Sequence, residues 1–417
     1  QPDQPRHHKN QRKVTYVGYT ETMSSVLLIR DPKIIRLTTV KYFDHFVDRI
    51  SEDTEPLISG SLFMMRGDRW RSMRTTLSPA FSSSKMKLMM PSLMKISANI
   101  VEYLRSHVNE NIDMDDLGYR YTIDVIAITA FGVQINSLKD RNNEFYVTGR
   151  NLFPFGLKQN NYGVSSFDFV SKNLLDFFWS LINETIEYRE KNNIVRPDML
   201  QLLMEASKGT LKSENDDFEA IEEIKQNVSE RDEVMSQVFT FFAAGFETSA
   251  SAVTMMVHEL ALNPEVQERL YQEIREHQEK YKELKFEDIP SLKYLECVFS
   301  ESLRKWAPAV VMERQCAKHF VLPPPRPGAK PVELKPGDII HNMVNSIHMD
   351  PKYYPKPHVF DPDRFRDDKK HVRPYTFMPF GVGPRSCIGK LFLFYVTYYY
   401  NIYSLTRQTL FFHVNYF

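Results

Sequence analysis

The sequence is poor in the features that would fix its class most quickly. Its 417 residues hold only three cysteines, Cys297, Cys316 and Cys387. Three cannot build a disulfide framework, and none stands in the paired C-x-x-C spacing of a structural zinc site, so the chain reads as one kept in a reducing compartment. Net charge is lacking too: 53 Lys plus Arg balance 53 Asp plus Glu. That balance leaves no polybasic footprint for nucleic acid and points to small molecules or proteins as partners. No run of about 18 apolar residues occurs, so a membrane-spanning helix is not encoded in this stretch. The nearest approach, LFLFYVTYYYNIYSL at Leu391 to Leu405, is rich in tyrosine and broken by Asn401. The chain opens at Gln1 on a polar, basic run without the apolar core of a signal peptide, and it reads as a sequence whose start has been cut.

What is present is mostly helix. A mixed amphipathic pattern runs from Ala98 to Val108, an apolar one from Ile123 to Phe131, and a long amphipathic helix is predicted from Ser171 to Asn193. The charged connector from Ala206 to Glu233 predicts an exposed, mobile loop. Beyond it, Val234 to Leu262 is too apolar for a surface helix and reads as one crossing the interior. Asn263 is expected to cap the next helix, with Pro264 at its first position. From Pro323 onward, short β-type runs between prolines and glycines predict a small sheet or hairpins. No repeat and no compositional break divides the chain, so the expected architecture is mainly α with a minor β region, in a single large domain.

One short stretch concentrates chemistry. FGVGPRSCIG, from Phe380 to Gly389, sets a cysteine among three glycines, a proline and an arginine. A thiolate ligand stays ionised when positive charge or backbone N–H groups at a helix start lie near it. Gly381 and Gly383 allow turns and close backbone approach, Gly389 leaves room for a flat ligand, and Arg385 reaches an acidic group. A lone cysteine is ordinarily just a small hydrophobe, and it is the frame that argues for more.

Phe380, Gly383, Arg385, Cys387 and Gly389 match F-x-x-G-x-R-x-C-x-G, which resembles the haem-binding signature of the cytochrome P-450 family of haem-thiolate monooxygenases. The resemblance implies haem b, with iron held by the Cys387 thiolate, which pushes electron density onto the metal and favours O–O cleavage. It implies that Phe380 packs beneath the sulfur and screens it from water. In SESLRKW, Glu301 and Arg304 lie three apart on one helix face; alone they read as a surface ion pair. With Arg364 of PDRF they resemble the family's buried Glu–Arg–Arg network, a structural rather than catalytic role.

AAGFETS in the interior helix supplies Ala244, Gly245, Glu247 and Thr248, matching the family's oxygen-activation motif. The residues alone are equally consistent with a buried helix that tolerates a glycine and a threonine. A glycine loosens the helix, and the Thr248 hydroxyl competes for a backbone carbonyl, so the turn is expected to open into a groove for dioxygen. Thr248 is then expected to anchor a water that delivers protons, with Glu247 linking the relay to solvent. Trp70 and Arg74 resemble the family's W-x-x-x-R, and Arg314 and Arg385 match further propionate partners. Arg66, Arg69 and Arg71 read as a docking face for an acidic electron donor, or equally as a solvated helix face. Family topology puts substrate against Phe241, Ala244, Val310 and Val311, with Phe43 to Phe63 around the rim, and their apolar character suits a lipophilic small molecule.

The match runs from about Val26 to Gly389, and FDHFVDR, LSPAFSSSKMK and RPDML resemble insect microsomal detoxification enzymes. The implied setting is the cytoplasmic face of the endoplasmic reticulum membrane, with electrons from an NADPH-dependent reductase and from cytochrome b5. Such enzymes carry an N-terminal anchor and a proline-rich hinge, neither of which stands in this sequence. Gly132 to Asp176 is short for the family. Residues 1–389 read as the haem domain with an incomplete start, and 390–417 as an atypical aromatic tail of the kind a translated intron or frameshift produces. Three readings follow: a monooxygenase, a haem-thiolate isomerase or peroxide-using enzyme, and a truncated product without catalysis. Glu247 and Thr248 speak against the second, which needs no dioxygen proton relay.

Overall fold

A computed structural model of the chain describes residues 14–21, 24–50, 56–108, 110–152, 172–207, 231–281 and 285–406. The expected mobile connector lies mostly outside them, as do the opening basic run, much of the short 132–176 segment and the last part of the tail. Two compact units emerge: residues 1–50, 304–359 and 367–387 form the first, and residues 51–303, 360–366 and 388–417 the second.

The first unit holds the β structure. Strands β1 (Tyr16–Glu21), β2 (Ser24–Ile29), β3 (Val311–Gln315) and β6 (Ile339–Met343) form one sheet in the order β1-β2-β6-β3. β1 and β2 pair antiparallel with Tyr16 opposite Ile29, β2 and β6 run parallel with Val26 opposite Ile339, and β3 and β6 pair antiparallel with Arg314 opposite Ile340. β4 (Phe320–Leu322) and β5 (Val332–Leu334) make a separate antiparallel pair. Of the strands expected after Pro323, β5 and β6 are there, but β3 and β4 lie before it, and half of the larger sheet comes from the β1–β2 hairpin near the start of the chain, where the reading from sequence placed no strands. Its core is apolar: Ile29, Ile35, Phe46, Leu322, Ile340 and Val344 are buried together.

The second unit is helical. Its long helices among the described residues are α1 (Gly67–Leu77), α2 (Ser83–Ser106), α3 (Met114–Phe131), α4 (Glu144–Leu152), α5 (Lys172–Asn192), α6 (Met199–Ser207), α7 (Arg231–Leu262), α8 (Pro264–Tyr281) and α10 (Lys390–Thr406). α9 (Lys293–Lys305) leads from this unit into the first. α7 is the interior helix the apolar run predicted, and α3 packs along it. Phe131, Phe178, Phe242 and Phe246 are fully buried there, with the Phe178 and Phe242 rings 4.4 Å apart.

Two local expectations are corrected. α7 begins at Arg231 and α6 ends at Ser207, so both take residues from the ends of the predicted connector. Pro264 does open α8, but the Asn263 side-chain amide donates backward to the Glu259 carbonyl at 2.8 Å, closing α7 instead of capping α8. The tail is also more regular than its pattern suggested. α10 packs on α2 and α7, and its residues Val396 to Ile402 are buried all round, so it needs no polar face and shows no amphipathic repeat. Among the described residues no helix is long and apolar enough to cross a membrane.

Candidate active site

The first unit carries the cysteine loop. The Cys387 amide donates to the Phe380 carbonyl at 2.8 Å, and the Ser386 amide to the Gly383 carbonyl at 2.9 Å, closing the turn from both ends. Gly381 and Gly383 take φ values of 72° and 76°. At Gly383 a Cβ would also collide with the Thr39 carbonyl oxygen, so both backbone strain and space require glycine. The turn leaves Cys387 exposed, whereas Cys297 and Cys316 are buried. Only a sulfur presented in this way can meet a ligand from outside the chain.

Arginines gather in the same unit. Arg385 is buried, and its Nε donates to the Val47 carbonyl at 2.9 Å. In β3 the alternation turns Met312 and Arg314 inward, which sinks an arginine to 2% exposure. Its Nη1 donates to the Glu313 carbonyl at 2.7 Å, while Nε has no partner among the described residues. Burial, and next the charge of Arg49, push the Arg314 pKa down to about 9. A cation so placed is poorly compensated and suits an anionic partner. The donor set thus fits haem: an open cysteine sulfur to hold iron, and a buried arginine suited to a propionate. Arg49 was missed in the sequence because FDHFVDR served only as a subgroup marker; its neighbour two residues back, Val47, is what Arg385 grips.

His348 supports this loop. The ring is fully buried, with Nδ1 3.1 Å from the Arg304 carbonyl and Nε2 accepting from the Met378 amide at 2.9 Å. Arg304 itself is fully buried and donates to the carbonyls of His348 and Pro357 at 3.0 and 2.8 Å. One of the expected network residues therefore fastens the chain that leads to Phe380. In the second unit, Glu301 is also fully buried, with Arg364 Nε 3.5 Å from its Oε1 and the Asp361 amide donating to that oxygen at 2.9 Å. Val310, exposed, and Val311, half-buried, stand at the start of β3 in the first unit.

α7 carries the remaining motif in the second unit. The Thr248 hydroxyl donates to the Ala244 carbonyl at 2.6 Å, as expected. The turn does not open, however: α7 is α-helical from Arg231 to Leu262. Gly245 has a packing reason instead, since a Cβ there would come within 2.6 Å of Ile126 Cδ1 on α3. Glu247 accepts from the Tyr119 hydroxyl of α3 at 2.5 Å, a partner the sequence did not announce. Phe241 lies one turn before Gly245 and meets the Phe81 ring edge-on at 5.0 Å.

On α1, Trp70 is buried and Arg74, one turn on, is half-buried. The basic cluster beside them is partly neutralised, which weakens the expected docking face: Arg69 pairs with Glu233 at 2.5 Å and Arg71 with Asp68 at 3.4 Å.

Comparison with known proteins agrees with these features. The Cytochrome P450 family profile matches residues 5–392. Cytochrome P450 9e2 of Blattella germanica is 39% identical, the match covering 90% of this chain and 76% of that protein. Probable cytochrome P450 9f2 of Drosophila melanogaster is 40% identical over 90% of this chain and 77% of its own length. Cytochrome P450 6k1 of Blattella germanica is 33% identical, covering 90% of this chain and 75% of the relative. With a match of that extent beneath the cysteine loop and the interior helix, the chain belongs to the cytochrome P450 family, the haem-thiolate monooxygenases.

Proposed function

We propose that the chain inserts one oxygen atom from dioxygen into a lipophilic small molecule, with haem b that the Cys387 thiolate would hold through its iron. The observation that carries this reading is the closed turn that leaves Cys387 exposed in a unit that also buries Arg314 and Arg385. When bound, haem supplies the iron that activates dioxygen. The chain's own residues do the rest. Arg314, Arg385, Arg74 and Trp70 would hold the propionates, Phe380 would screen the sulfur on its own side, and Thr248 and Glu247 would hold and pass protons at their hydroxyl and carboxyl oxygens. Phe241, Ala244, Val310 and Val311 offer the apolar contacts that suit a lipophilic substrate.

Electrons come from an NADPH-dependent reductase, with cytochrome b5 as a second donor, at the cytoplasmic face of the endoplasmic reticulum. Arg66 and the partly paired Arg69 and Arg71 meet the donor's acidic surface, so Arg71→Glu should slow reduction at low salt; an unchanged rate would remove α1 from the docking face.

The spectrum of the expressed protein, reduced and carrying carbon monoxide, tests the ligand. A Soret band at the long-wavelength thiolate position is expected, and its loss in Cys387→Ser. A protein without bound haem would instead be the non-catalytic product. Thr248→Ala should uncouple oxygen consumption from product formation, and unchanged coupling would favour isomerase or peroxide chemistry.

A further inference from the structure

Glu247 is not left to solvent. α3 lies close against α7 because Gly118 has no side chain: a Cβ there would collide with Thr254 Oγ1 and stand 3.5 Å from the Ala250 carbonyl. α4 comes equally close at Gly149, where a Cβ would lie 3.1 Å from Phe246 and 3.3 Å from Phe242. Each of these glycines sits beside a residue of one small cluster. Next to Gly118, Tyr119 is buried, meets the Phe246 ring edge-on at 5.2 Å, and donates its hydroxyl to Glu247 Oε1 at 2.5 Å. Next to Gly149, Arg150 lays its guanidinium over the Tyr119 ring at 3.8 Å and reaches Asp115 of α3 at 3.5 Å.

The geometry points to Tyr119 as a positioning residue for Glu247: its hydroxyl holds the carboxylate against α3, and proton transfer through Glu247 proceeds from that held state. This rests on the relay reading given above. A tyrosine hydroxyl donates to the ionised carboxylate and so favours it over the neutral acid. The hydroxyl in turn is disfavoured as phenolate, by burial first and then by the Glu247 charge, so the proton of the pair stays on tyrosine and the charge on glutamate. The groups that face this pair are Asp115 of α3 and Arg150 of α4, which carry opposite charges and pair with each other. Tyr119 therefore sets where the Glu247 carboxylate stands and what it can reach. A plain tie between α3 and α7 would contribute stability without bearing on the relay.

The test reads the carboxyl directly. Infrared difference spectroscopy of the full-length holoprotein, with Glu247→Gln to assign the band, reads the Glu247 carboxylate stretch without turnover. Losing one hydrogen bond to a charged acceptor in Tyr119→Phe should shift that stretch to the position of a carboxylate without the phenol donor. Incorporating 3-fluorotyrosine at position 119, a stronger donor, should shift it the opposite way. In turnover, coupling should fall in Tyr119→Phe and be kept with 3-fluorotyrosine. An unchanged carboxylate band in both tyrosine variants overturns the proposal. If the band moves but Glu247→Gln leaves coupling intact, the relay reading fails and the hold by Tyr119 stands.

Discussion

Acid should weaken the first unit through one histidine. The Met378 amide donates to His348 Nε2, so that nitrogen carries no proton, and Nδ1 must donate to the Arg304 carbonyl. The Met378 bond exists only for the neutral ring, because a protonated Nε2 cannot accept it. Burial above all, and the Arg304 charge after it, lower the His348 pKa from 6.5 to about 3. In the unfolded chain the ring takes a proton at the ordinary value, so its contribution is intact above pH 6.5 and lost as pH falls from 6.5 toward 3. A shift of 3.5 units at about 1.36 kcal/mol per unit amounts to roughly 5 kcal/mol over the whole window.

A wild-type scan alone would hide this. Asp124 is buried on α3 with a pKa raised from 3.8 to about 6, so its contribution has the opposite sign: present at low pH and lost as pH rises through 6. Between pH 4 and 6 the two nearly cancel. The comparison with His348→Gln removes Asp124 from the result, because both proteins carry it. Urea unfolding at pH 7.5 should show the variant weaker by about 1–3 kcal/mol, the cost of a disturbed buried hydrogen-bond pair. By pH 4.5 the variant should gain about 2.7 kcal/mol on the wild type, two units of the wild type's loss, so the gap closes or reverses. A gap constant within about 0.5 kcal/mol would refute the neutral, doubly bonded ring.

Three other outcomes follow from single contacts. Among the described residues the hydroxyls of Tyr398 and Tyr399 on α10 are fully buried without a hydrogen-bond partner, so Tyr398→Phe and Tyr399→Phe should each stabilise by about 1 kcal/mol in the same denaturation assay. Gly383→Ala forces a Cβ onto the Thr39 carbonyl at positive φ and should cost about 3 kcal/mol, with loss of the thiolate Soret band. Arg314→Gln should speed haem transfer to apomyoglobin by about 10- to 100-fold, the worth of one charge-assisted bond to a propionate, and an unchanged rate would remove Arg314 from the propionate set.

What the sequence made legible were groups whose chemistry is written in one short frame. FGVGPRSCIG fixes its own turn, because two positive-φ glycines and an amide-to-carbonyl bond from Cys387 to Phe380 need nothing from elsewhere. The interior helix was legible for a similar reason, its apolar run leaving no solvated face. The residues that tune those groups come from distant segments with no pattern of their own. Arg49 meets Arg314 only because β3 turns an arginine inward, Tyr119 meets Glu247 only because Gly118 brings α3 close, and His348 binds Met378 across 30 residues. α10 shows the converse. Periodicity reports a boundary between core and water, and a helix buried on every side has none, so its crowded tyrosines looked like noise in the sequence. Their unpaired hydroxyls mark it as a helix placed by volume and apolar area, with its polar atoms left over. Removing those hydroxyls should therefore stabilise the fold, where removing the Tyr119 hydroxyl should release the carboxylate it holds.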